Sequence, residues 1–86
     1  MADPQNPPMG RLDAFEVGEK KLTVQTEFIA RPEWRIETKV YLGGTLKKIY
    51  THDLSSTPEA ELQKAVTEFH QAKMSEIETG LRNRKS

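Results

Sequence analysis

RIETKVYLGGTLKKIYTH, residues Arg35 to His52, reads as two β-strands joined by a tight turn at Gly43-Gly44. Ile36, Val40, Tyr41, Leu42, Ile49 and Tyr50 are β-branched, aromatic or aliphatic, which suits a pleated, half-buried surface. A two-residue hairpin loop needs positive φ, which glycine reaches without a Cβ clash. If the loop is Gly43-Gly44 alone, Leu42 faces Thr45, Val40 faces Lys47 and Thr38 faces Ile49. That register puts Ile36, Val40, Leu42 and Ile49 on one face. Arg35, Glu37, Lys39, Tyr41, Leu46, Lys48 and Tyr50 then share the other. A longer loop or a bulge would slip the second strand by one and turn its side chains over; the two-residue register is the preferred expectation.

The run Lys20–Ile29 upstream is a third strand, with Leu22, Val24, Thr26 and Phe28 alternating toward the core. Pro32 cannot continue a ladder, so a loop is expected at 30–34 and an antiparallel meander results. The segment 12–19 is ambiguous: Phe15 and Val17 alternate with charges, which hints at a short edge strand that ends at Gly18. Residues 1–11 hold three of the five prolines and little that is apolar, which predicts an extended, disordered arm ahead of a single domain at 12–86 with its core in 20–81.

Beyond His52, Thr57 and Pro58 read as N-cap and first helical residue, and Ser56 with Glu59 as a capping box. Leu62, Val66, Phe69, Met74, Ile77 and Leu81 then form one apolar stripe, with His70 beside it. A helix of about 22 residues would span about 33 Å and an eight-residue strand about 26 Å, so the helix is expected to overhang the sheet. Gly80 either stops it or loosens its last turn, and the basic run 82–86 suits the negative end of the helix dipole. The fold class is therefore α+β: a three-stranded antiparallel sheet, or four-stranded if 12–17 joins it, packed against one long C-terminal helix.

Composition narrows function. Eighty-six residues with 35% apolar content support one small core. Thirteen basic and thirteen acidic residues cancel, which argues against nucleic acid as the main partner. The chain has no cysteine, so no disulfide and no thiolate zinc site forms, and a reducing, cytoplasmic setting is expected, with no membrane span. His52 and His70 stand in no ligand-spaced motif, His52-Asp53 with Ser55 and Ser56 lacks a serine elbow, and Gly43-Gly44 lacks the rest of a phosphate loop. No metal, cofactor or catalytic role is expected.

One helix can shield only one face of such a sheet. On the preferred register the other face carries Tyr41, Leu46 and Tyr50 among Arg35, Lys39 and Lys48, with Trp34 beside it. Aromatic and aliphatic side chains with a charged rim suit a partner-binding patch. The leading expectation is a non-enzymatic adaptor or regulatory subunit that binds another protein through this face. Strand addition at an edge (Leu22–Phe28 or Thr45–Thr51) and packing on Met74, Ile77 and Leu81 of the helix overhang are the further modes, with homodimerisation through either surface. The alternative is a single-stranded nucleic-acid surface built on Arg35, Lys39, Lys48, Tyr41 and Tyr50.

Overall fold

A computed structural model describes residues 3–83. Its order is β1 (Arg11–Val17), β2 (Lys20–Ile29), β3 (Arg35–Leu42), β4 (Thr45–Asp53), a 3₁₀ turn (Glu59–Glu61) and α1 (Leu62–Asn83). The four strands form one antiparallel sheet in the order β1-β2-β3-β4. The fold is α+β, with 12–17 joining as the fourth, edge strand. Gly18, Gly43 and Gly44 all take positive φ, at 63°, 61° and 84°. Gly43-Gly44 thus supplies the left-handed pair that a two-residue reversal demands, and Gly18 opens an equally tight reversal in which Val17 pairs with Lys20.

The hairpin begins as its turn dictates, with Leu42 opposite Thr45 and Tyr41 opposite Leu46. A β-bulge then intervenes: Val40 pairs with Lys48, Lys39 with Ile49 and Thr38 with Tyr50. The extra residue reverses the side-chain parity of β4 beyond it. This corrects the expected register. Ile49 is 47% exposed on the outer face, whereas Tyr50 and Lys48 lie on the helix side. Tyr50 packs on the core, and the Nζ atoms of Lys73 and Lys48 stand 4.6 and 5.6 Å from its ring centroid. His52, on the same side, stacks on Phe69 at 5.3 Å.

α1 lies across the inner face. Leu62 and Val66 join Trp34, Ile36 and Leu54 in one apolar cluster, with Phe28, Ala65 and Phe69 around it. Leu22, Val24 and Val40 form a second, flanked by Tyr50, Met74, Ile77 and Leu81. Each fully buried aliphatic side chain contributes about 1.5–3 kcal/mol relative to exposure. Met74, Ile77 and Leu81 are therefore half-buried against the sheet, which corrects the expectation of a free overhang. Trp34 is likewise in the core at 9% exposure, edge-on to Phe28, not beside the open face. Its backbone carbonyl accepts from the N–H of Leu54, which ties the β2–β3 loop to the end of β4.

The helix start also differs in detail. Pro58 is the N-cap, without a side-chain cap bond, and the first turn is 3₁₀. The carboxylate of Glu59 faces outward instead and accepts from the backbone N–H groups of Gln5 and Asn6. Further along, Met9 and Gln63 exchange two hydrogen bonds. The described part of the proline-rich arm, 3–10, has no regular secondary structure, but it runs along the helix start and Pro4 is buried. α1 continues through Gly80, so that glycine does not end it. The basic run falls largely outside the described residues.

The parity change has a direct test. Tyr50→Ala should destabilise by about 2 kcal/mol in a urea melt, because it removes half-buried aromatic contact. Ile49→Ala should stay within about 0.5 kcal/mol. The reverse order would restore the unbulged register. Gly80→Ala should stabilise by up to about 1 kcal/mol, since a helical glycine gives up backbone entropy and a Cβ there meets nothing within 4 Å.

Candidate functional site

Strand alternation assigns the outer face. Across the sheet one row reads Leu12, Gln25, Lys39, Ile49 and the next Ala14, Thr23, Tyr41, Leu46. Leu12, Leu46 and Ile49 are 66%, 44% and 47% exposed, and Tyr41 is half-buried. Tyr41, Leu46 and Ile49 are neighbours on β3 and β4, while Leu12 lies three strands from Ile49, about 14 Å at the usual strand spacing. Neither the helix nor the described part of the arm covers this face; both run on the inner side.

The charged groups on the face are unevenly engaged. Arg35 donates through Nε and Nη2 to one carboxylate oxygen of Glu37, at 3.2 and 3.1 Å, and through Nη1 to the carbonyl of Arg31. Gln25 Nε2 donates to Glu27. Lys39, beside Tyr41 and opposite Ile49, makes no ion pair among the described residues. Lys39 thus stands uncommitted beside the apolar patch among the described residues, while Arg35 is held by its neighbours.

Of the residues singled out in the sequence, the structure brings Lys39, Tyr41 and Leu46 together on the outer face, with Arg35 on the same face at the far end of β3. It places Trp34, Lys48 and Tyr50 on the inner side, and Met74, Ile77 and Leu81 under the helix. Leu22–Phe28 is not an available edge, because β2 is paired on both sides; the edges are β1 and β4. Ile49 and Leu12 were missed as surface residues. The only signal for Ile49 was the alternative of a one-residue slip.

A second constellation lies in the seam between sheet and helix. Thr38 Oγ1, Thr26 Oγ1 and His70 Nδ1 follow one another at 2.8 and 2.6 Å, and His70 Nε2 lies 2.7 Å from Asp13 Oδ2. The carboxylate can only accept, so Nε2–H donates to Asp13. With the ring neutral, Thr26 O–H donates to Nδ1 and Thr38 O–H donates to Thr26. The order Asp-His-Thr resembles that of a nucleophilic triad. Thr26 and His70 are each only 1% exposed, however, and Thr38 is fully buried. The hydroxyl is sealed beneath α1, with no room for a substrate. What the chain of bonds does is satisfy four polar side chains between the two apolar clusters and fix the height of α1 over β1, β2 and β3.

His52 is not part of this network. At the adjoining strand end Asp53 accepts from the Ser55 hydroxyl and backbone N–H. Those two bonds hold its carboxyl below the ordinary value, the hydroxyl contributing more. The serine is thereby explained as a turn residue.

No helix among the described residues is long and apolar enough to cross a membrane. Comparison with protein-family models, curated proteins and solved structures returns no match for this chain.

The seam network makes an energetic prediction. His70→Ala should cost about 3 kcal/mol in chemical denaturation, because it opens a cavity and strands buried hydroxyls. Asp13→Ala, at the half-exposed end, should cost about 1 kcal/mol. The double variant should fall short of the sum by about 1 kcal/mol, the signature of a shared bond.

Proposed function

We propose that this chain is a protein-interaction module that docks a second polypeptide on the open face of its sheet. One observation carries the reading: Tyr41, Leu46 and Ile49 form a neighbouring apolar group on a face that no other described part of the chain covers, while the opposite face is roofed by α1. Large apolar side chains grouped on one surface favour association, since burying them removes apolar area from water. The partner this surface fits has an apolar patch of its own and a carboxylate positioned for Lys39, because a desolvated lysine needs an anion opposite it. The sealed seam network supports a binding role over a catalytic one.

The free edge of β4 is a poor template for strand addition along its whole length. Its bulge interrupts the ladder, and Lys47 and Lys48 place charge there, devices that discourage edge pairing. Face-to-face docking is therefore preferred over β-augmentation. A single-stranded nucleic acid is the poorer fit to this face, because Tyr50 and Lys48 stand on the helix side and Arg35 is engaged by Glu37.

Leu46→Asp/Ile49→Asp tests the proposal. Both side chains are outward, so thermal melts should match the parent within a few degrees. In affinity capture from the native host, the parent should retain a partner that the variant loses. Light scattering on the purified chain separates a heterologous partner from a homodimer, which the same variant should dissociate. A folded variant with an undiminished set of partners refutes the surface.

A further inference from the structure

On the opposite side of the molecule from the docking face, the second apolar cluster is incompletely closed. Between the C-terminal half of α1 and the hairpin end of the sheet runs an open crevice of about 510 Å³. Val17, Leu22, Val40, Leu42, Ile77 and Leu81 line it, and among the described residues Lys47 is its one charged lining group. This size lies within the range of small-molecule sites, about 300–1,000 Å³. We propose that the crevice binds an aliphatic carboxylate, a medium-chain fatty acid, with the hydrocarbon chain along Ile77 and Leu81 and the carboxylate on Lys47 Nζ.

Three observations select that chemistry. First, among the described residues the lining is apolar apart from Lys47, and no carboxylate belongs to it. Second, Lys47 makes no ion pair among the described residues, so its ammonium is available to an anion. The bulge that turns Tyr50 inward also places Lys47 and Lys48 together opposite Val40, which is how a lysine comes to stand at an apolar wall. Third, Gly80 lines the same crevice, yet packing does not call for glycine there: its φ is not positive and an added Cβ would meet nothing within 4 Å. A side chain at this position would occupy the space that the ligand chain takes.

The test is a methyl-detected NMR titration of the full chain with octanoate, decanoate and dodecanoate, each kept below its micelle concentration. Saturable shifts should be confined to Val17, Leu22, Val40, Leu42, Ile77 and Leu81. Affinity should rise about fourfold per added methylene until the crevice is filled. Lys47→Ala should weaken dodecanoate about tenfold and leave dodecanol unchanged, since only the acid uses the charge. Gly80→Leu should abolish binding of both while circular dichroism shows the fold intact. The proposal is overturned by an absence of saturable shifts, by shifts centred on Leu46 and Ile49, by Gly80→Leu that still binds, or by Lys47→Ala that leaves dodecanoate affinity unchanged. Because the probe is the free acid and the readout is local, its failure leaves the sheet-face reading standing, and failure of that reading leaves this one standing.

Discussion

One extra residue in β4 governs which side chains this protein turns outward. Strand side chains alternate, so inserting a residue opposite Val40 reverses everything beyond it. Tyr50 goes in, beneath Lys73 and beside Met74, and His52 goes in to meet Phe69. Ile49 goes out to join Leu46 and Tyr41. The bulge therefore sets the composition of both the core wall and the open face. The tight glycine turn makes it necessary: a two-residue loop starts β4 in one parity, and burying an aromatic ring under α1 requires the other.

The helix is held by two apolar clusters with a polar belt between them. Thr26 and Thr38 sit in the same face as Leu22, Val24, Ile36 and Val40, where two more aliphatic residues would also have fitted the alternation. The hydroxyls gain His70 as a partner, and His70 gains Asp13. Apolar contact is non-directional and leaves a helix free to slide along its stripe. A buried hydrogen-bond chain does not, because every displaced donor costs its desolvation. The belt thus acts as a register pin for α1. On its N-terminal side the packing closes over Ile36, Leu54, Leu62 and Val66; on its C-terminal side Met74, Ile77 and Leu81 are only half-buried and a crevice remains.

These two arrangements leave the molecule with two dissimilar surfaces. The outer one is open and carries its apolar group on β3 and the edge strand β4, and suits a macromolecule. The inner one is an open apolar crevice with one ammonium among its described lining residues, and suits a small amphiphile. A neutral overall charge is consistent with both, since neither relies on a long-range field.

Much of this architecture follows from residue order alone. Alternation in Lys20–Ile29, the glycine pair after Leu42 and the stripe from Leu62 to Leu81 are local patterns, and each maps onto the element it implies. The short run Arg11–Val17 was only a hint, because an edge strand with one exposed face carries few apolar residues. The inward half of β4 was not legible: in Leu46-Lys-Lys-Ile-Tyr50 two apolar residues are adjacent, so either parity buries one of them, and pattern cannot choose. The choice fell to α1, which sets Lys73 over the ring of Tyr50 and closes the cluster on that side with Met74. Likewise Asp13 and His70 are 57 positions apart, and nothing local to either names the other. Trp34 is buried because the β2–β3 loop folds back on Leu54, a contact between distant segments. Local periodicity determined the elements and their order; packing between elements decided which side chains were left to meet the surroundings, since burial is a property of pairs of surfaces and not of any one stretch.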